Sequence, residues 1–183
     1  LDGRMALNKM KIAIIGAQGV GKTTLVKQIN KHYPDFKILP EVVRLAKEAG
    51  YDLDQSATVE TELWIIAKQV ELESTEGKWV ADRSCIDLLV YIQHLFPKEE
   101  SLIEFAMKTL IPRFSKYDLV LYLPSGQFAI EDDGVRTTDL EFQQAIDKRF
   151  RDILEKYKIS FIKIVGSPEE RLGRVKSLLA FME

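Results

Sequence analysis

Cysteine is almost absent: Cys85 is the single thiol in 183 residues. One thiol can form neither an internal bridge nor a cysteine zinc cluster, so the fold must rest on its core, and a reducing, cytoplasmic setting is the default expectation. Apolar runs are short, and none approaches the roughly 18 residues of a membrane span, so no membrane partner is expected. An excess of one charge is missing as well. A formal net charge of -2 provides no general basic field for a nucleic-acid polymer, although a local basic groove stays open. The two histidines, His32 and His94, lack metal-ligand spacing and read as ordinary surface or interface residues. Glycine is sparse too, yet three of the ten glycines, Gly16, Gly19 and Gly21, fall in one short stretch.

What is present fits one globular domain. A chain of this length buries about 70 % of its unfolded surface, enough for a core without disulfide or metal. Hydrophobic residues at 46 % and charged residues at 30 % exclude a wholly disordered or collagen-like chain. Residues 1–9 are expected to be an extraneous or flexible arm ahead of the domain at 10–183.

Lys11-Ile12-Ala13-Ile14-Ile15 is a short β-branched run ending in glycine, the pattern of a strand buried on both faces. Similar runs recur at 79–82, 119–123 and 160–165, with a weaker one at 36–39. Between them, helical spacing predicts helices near 22–32, 41–49, 57–76, 85–96, 99–114, 139–157 and 168–182. This alternation predicts an α/β fold, a five-stranded parallel sheet with helices on both faces. Thr138 with Glu141 and Ser84 with Asp87 have capping-box spacing, and Ser167 precedes a first-turn proline, Pro168. The one long connection, Pro124 to Thr137, reads as functional or disordered.

Gly16-Ala17-Gln18-Gly19-Val20-Gly21-Lys22-Thr23 matches G-x-x-x-x-G-K-[ST] between a strand and a helix. The glycines allow successive amides to turn inward on a phosphate, and the helix beginning near Lys22 adds its free amides and positive end. Lys22 can reach the β- and γ-phosphates, and the Thr23 hydroxyl can ligate magnesium. Thr24 caps or packs beside them. A nucleoside triphosphate with Mg2+, ATP by default, is therefore expected. The N-K-x-D and D-x-x-G patterns of a regulatory GTPase do not occur.

Residues 10–182 resemble the small P-loop kinases of nucleosides and nucleotides, with their three-layer P-loop NTPase fold. They are most similar to nicotinamide riboside kinase-like domains of bacterial NAD metabolism, an AAA-ATPase-like group, with deoxynucleoside and thymidylate kinases further away. The resemblance rests on the P-loop, Pro40-Glu41-Val42-Val43-Arg44, Asp82-Arg83-Ser84, Asp132-Asp133-Gly134-Val135-Arg136 and Gly166-Ser167-Pro168-Glu169-Glu170-Arg171. Deoxynucleoside kinases usually carry Glu where this chain has Asp82. Thymidylate kinases usually carry Arg where Pro40 stands, which weighs against a monophosphate acceptor.

The resemblance implies transfer of the γ-phosphoryl group to a small-molecule hydroxyl, of a nucleoside such as nicotinamide riboside or of a nucleotide. Glu41 and Asp82 both fall beyond strand ends, where ligands bind in open α/β sheets. In one assignment Asp82 helps hold magnesium and Glu41 takes the acceptor proton; the converse, with Asp82 as base, stays open. Glu41 could instead be a first-turn acid paired with Arg44. Arg44 and Arg83 are candidates for acceptor or phosphate groups, or for pairing with Glu41 or Asp87. Asp87 is expected to be the cap partner of Ser84. A lid is expected at about 124–151. Within it, Arg149 is aimed at the γ-phosphate or lays its stem over apolar surface, Arg136 is a second cation, and Asp132 and Asp133 meet the acceptor's ribose. Gly166, Ser167 and Pro168 would pass backbone over adenine, and Gln69 would face the acceptor base. Cys85 near a helix start could have a lowered pKa, without a base to make it a nucleophile. The rival expectation is a nucleotide-dependent switch with slow hydrolysis. A homodimer is compatible with either.

Overall fold

A computed structural model describes residues 9–53, 56–127 and 140–182. The strands are β1 (Lys11–Ile15), β2 (Lys37–Leu39), β3 (Trp79–Asp82), β4 (Leu119–Tyr122) and β5 (Ile162–Lys163). The helices are α1 (Lys22–His32), α2 (Val42–Glu48), α3 (Val59–Glu73), α4 (Cys85–Leu95), α5 (Glu100–Leu110), α6 (Leu140–Lys156) and α7 (Pro168–Met182). All strand pairs are parallel, in the order β2-β3-β1-β4-β5. The expected five-stranded α/β architecture is therefore present.

Burial explains which runs became central strands. Ile12 to Ile15 and Trp79 to Ala81 are almost wholly enclosed, as a sheet covered by helices on both faces requires. Helix α1 packs with α7, while α4 packs with α3, α5 and α6. Short strands at the margins reflect weaker burial: of the run at 160–165 only Ile162–Lys163 is strand, Ile164 adding one amide bond to Tyr122 O, and Phe161 and Val165 are exposed. The helix expected at 99–114 breaks after Leu110 into a 3-10 segment, Ile111–Lys116, because Pro112 lacks an amide hydrogen and clashes with the preceding turn.

Register places the site. Ile14 lies opposite Asp82, and Leu39 opposite Ala81, so the ends of β1, β2 and β3 rise to one crest. The loop from Gly16, the acid Glu41 and the Asp82-Arg83-Ser84 turn all emerge there.

Part of the segment expected as a lid at about 124–151 is packed helix. Residues from Leu140 onward are α6, whose Gln143, Ile146, Asp147 and Phe150 are buried against the body. Thr138, Asp132, Asp133 and Arg136 lie outside the described residues. Phe150 is fully enclosed beside the Tyr122 ring, with centroids 6.3 Å apart. Phe150→Ala should cost about 3–5 kcal/mol of stability, measured by urea unfolding; a loss below about 1 kcal/mol would show that α6 is not part of the cooperative core.

Candidate active site

The loop between β1 and α1 is shaped by contacts to its carbonyl groups. Lys22 Nζ donates to Gly16 O and Ala17 O, both at 2.6 Å. Gln143 of α6 donates to Gln18 O at 2.7 Å. Arg171 of α7 donates to Val20 O at 2.5 Å and, through Nε, to Gly166 O at 2.9 Å. With its carbonyls held this way, the loop can present amide hydrogens on its other side. Two glycines are obligatory here. Gly16 has φ +145, and a Cβ there would strike Leu123 O; Gly21 has φ +88 and begins α1.

Ala17, Gln18 and Val20 are buried, whereas Thr24 is exposed at the start of α1. The Thr23 hydroxyl donates to Asp82 Oδ2 at 2.5 Å. The other Asp82 oxygen, Oδ1, is buried with no hydrogen-bond partner. Buried acceptors are normally satisfied, so this orphan and the hydroxyl beside it offer oxygens that a bound cation would fit. A hydroxyl and one carboxylate suit Mg2+, which takes few protein oxygens and completes its shell with water and phosphate. Among the described residues there is no cluster of three metal-binding side chains.

Arg83 occupies the centre of the crest. It is 4 % exposed and has φ +79, a strained value for a residue with a side chain. Its Nε lies 2.8 Å from Glu41 Oε1, and its guanidinium sits 4.4 Å from the Tyr91 ring centroid. Burial opposes its charge, but Tyr91, Glu41, Asp87 and Asp82 together raise its pKa further. Arg44 Nε holds the other Glu41 oxygen at 3.1 Å. Both arginines thus pair with Glu41.

Asp87 completes the capping box with Ser84, accepting from its amide at 2.8 Å. It also accepts from Gly16 N at 3.4 Å, so it joins the cap to the phosphate loop. Burial pushes its pKa up to about 6, against the pull of Lys22 and Arg83.

Three expectations are corrected. Arg149 Nε meets His94 Nδ1 at 3.0 Å, and it is Gln143, about 9 Å back along α6 at the helical rise, that reaches the loop. Gln69 does not line the cleft beside the loop; it donates to Glu73 Oε1 at 2.8 Å, in a buried group with Cys85 and Tyr117. Burial, with Glu73 adding to it, raises rather than lowers the Cys85 pKa. At Gly166, φ is +95, and a Cβ would approach Glu170 Oε2 to 2.5 Å. Its open Cα therefore accommodates the cap in which Ser167 N donates to Glu170 and Glu170 N donates to Ser167 Oγ. Pro168 is the first residue of α7.

Sequence reasoning missed Arg171, Gln143, Tyr91 and Glu62. Arg171 stood inside a quoted motif, but its contact with Val20 spans 151 residues. Tyr91 and Glu62 line a cleft together with Gln18, Arg83, Leu88 and Phe142.

Fold and crest define a P-loop nucleotide-binding domain. The chain belongs to the family described as AAA domain, whose profile matches residues 11–171. No curated protein matches it by sequence. Among solved structures it is similar to deoxyadenosine kinase from M. mycoides bound to dCMP and dCDP: TM-score 0.68, 17 % identity, covering 95 % of this chain and 100 % of that one. It is also similar to NadR protein in complex with NR, with TM-score 0.80, 20 % identity and 95 % of this chain covered. A NadR complex with NAD and AMP-PNP gives 0.75 and 18 % over 95 % of this chain. The chain spans about half of NadR, 52 % and 49 % in the two structures. At these identities the likeness establishes the nucleoside-kinase-like fold. No helix among the described residues is long and apolar enough to cross a membrane.

Burial alone raises the Glu62 pKa from 4.5 to about 7. The folded chain thus keeps a proton that the unfolded chain has released, and stability falls as pH rises from 4.5 to about 7. Glu62→Gln should remove this slope and be more stable above that window by on the order of 2–3 kcal/mol, read by urea unfolding at several pH values. Parallel pH profiles for variant and wild type would refute the burial penalty.

Proposed function

We propose that the protein transfers the γ-phosphoryl group of ATP, with Mg2+, to a hydroxyl of a nucleoside-class acceptor, nicotinamide riboside being one candidate. The observation that carries this reading is the meeting of Glu41, Arg83 and Asp82 at the ends of β2 and β3, beside the Thr23 hydroxyl and the phosphate loop. A phosphate loop alone would serve any triphosphate binder; a second acid placed across an arginine from the first supplies the acceptor side.

The roles follow from the contacts. Thr23 and the unpartnered Oδ1 of Asp82 would hold magnesium, which when bound neutralises charge on the transferring phosphates. Asp82 is occupied on that side, which favours Glu41 as the group that accepts the acceptor's proton. The Arg83 and Arg44 pairs orient the Glu41 carboxylate. Lys22, now folded onto Gly16 O and Ala17 O, carries its ammonium at the mouth of the loop and can exchange those carbonyls for phosphate oxygens. Arg171 and Gln143 act one step back, fixing the loop rather than touching the phosphate. Asp132, Asp133 and Arg136 remain candidates for ribose and phosphate contacts. Gly166, Ser167 and Pro168 remain candidates for the adenine side.

A panel of nucleosides and nucleoside monophosphates, incubated with ATP and Mg2+ and read by mass spectrometry, should yield one phosphorylated acceptor class with matching ADP release. Slow ADP release independent of every acceptor would favour a switch ATPase instead. Lys22→Ala should abolish most turnover. Glu41→Gln should lower transfer by about 10²–10⁴-fold while ATP-analogue binding persists; normal transfer in that variant would move the base to Asp82.

A further inference from the structure

One acid in the cleft has no task in the mechanism above. Glu62, in the first turns of α3, is only 7 % exposed, and its carboxyl has no hydrogen bond or ion pair among the described residues. The other buried acids near the crest each have a partner: Glu41 two arginines, Asp82 the Thr23 hydroxyl on one of its oxygens, Asp87 Ser84. Among the described residues lining the cleft the one cation, Arg83, is committed to Glu41 and the Tyr91 ring. Tyr91, the other titratable group there, donates its hydroxyl to Gln18 Oε1 at 2.9 Å. Apart from Gln18, whose Nε2 is buried without a hydrogen-bond partner, the remaining lining is apolar, Leu88 and Phe142 among it. An unpaired carboxyl in such surroundings costs stability, and a burden of this kind inside a cleft marks a ligand contact.

We propose that Glu62 selects the acceptor by its ring edge, favouring a heterocycle that presents an N–H donor, as an amino or carboxamide group, over one that presents a carbonyl or carboxylate oxygen there. This rests on the acceptor reading of the cleft. The chemistry is one-sided: an ionised carboxylate accepts hydrogen bonds and donates none. An amino edge supplies the missing partner, whereas an oxygen edge sets lone pairs against a buried negative charge. A hydrogen bond to a charged group separates two such ligands by at least about tenfold. The burial that raises the Glu62 pKa to about 7 adds a signature. Below that pH the neutral acid can donate to an oxygen edge, so the preference should narrow; above it the preference should widen.

The test is calorimetric binding of matched pairs in the presence of Mg2+ and a non-hydrolysable ATP analogue: adenosine with inosine, cytidine with uridine, nicotinamide riboside with nicotinic acid riboside. In the pair that binds, the amino or amide member should win by at least about tenfold near pH 8, with the ratio shrinking towards about pH 5.5. E62Q, whose amide both donates and accepts, should lose the preference and its pH dependence; E62A should lose them too, with circular dichroism checking the fold. Equal binding of both members, a ratio that survives in E62Q, or no binding by any of the compounds would overturn the proposal. Phosphorylated product, followed separately, judges the kinase reading. Transfer without edge preference rejects the role of Glu62 alone, and edge preference without transfer rejects the kinase reading alone.

Discussion

The buried guanidinium of Arg83 is the constraint on which the crest depends. It leaves β3 directly after Asp82, in a left-handed backbone conformation, with its amide donating to Ile14 O at 3.3 Å. That turn sends the side chain under the cleft to Glu41 and Tyr91 while Asp82 faces Thr23. Burying a cation costs several kcal/mol unless partners repay it. Here the repayment comes from acids and an aromatic face contributed by separate segments: Glu41 at the start of α2, Asp87 and Tyr91 on α4. The strain and the charge are tolerable only when all of these segments are in place, so forming the ion pair and assembling this part of the crest are one event.

The phosphate side is built by a different device. Lys22, Gln143 and Arg171 hold the carbonyls of Gly16, Ala17, Gln18 and Val20 from three helices. A peptide carbonyl pulled outward turns the neighbouring amide hydrogen the other way, which is the arrangement an anion needs. The anchors come from elements distant in sequence, α6 and α7, so the loop is rigid because the closing part of the chain folds back onto it. Arg171 also grips Gly166 O, which couples the loop to the turn after β5. Burial lowers the Arg171 pKa, and the backbone carbonyls it grips repay part of that cost.

The sequence made legible those features that are local. Strand runs, helix spacing, the Ser84 to Asp87 box and the eight-residue loop depend on neighbours within a turn or two, and hydrophobic periodicity or glycine placement reports them directly. That Glu41 and Asp82 both lie beyond strand ends also followed, because parallel strands share the direction of their carboxyl ends; that their two strands are neighbours did not. What failed was direction. Helical phase put Arg149 on the inward side of α6, but not at which height along the helix the loop would be met. Gln69 lay on the expected helix, yet its amide serves Glu73, since a carboxylate buried beside Cys85 and Tyr117 draws every donor available. Arg171 was invisible as a loop anchor because no local pattern encodes a contact across nearly the whole chain.

The near-neutral composition acquires a specific meaning from this geometry. At the crest the cations Lys22, Arg83 and Arg44 stand against the acids Glu41, Asp82 and Asp87, so fixed charges largely cancel where phosphates would sit. Attraction for a polyanion then comes from oriented amides, the mouth lysine and any ion held by Asp82, all of which act at short range and favour a small, well-fitted ligand over a long polymer. Glu62 stands outside this cancellation. On the proposed reading two tasks are separate: charge handling on the donor side is completed by the protein together with the ion that Asp82 would hold, whereas discrimination on the acceptor side is left to the ligand that meets Glu62.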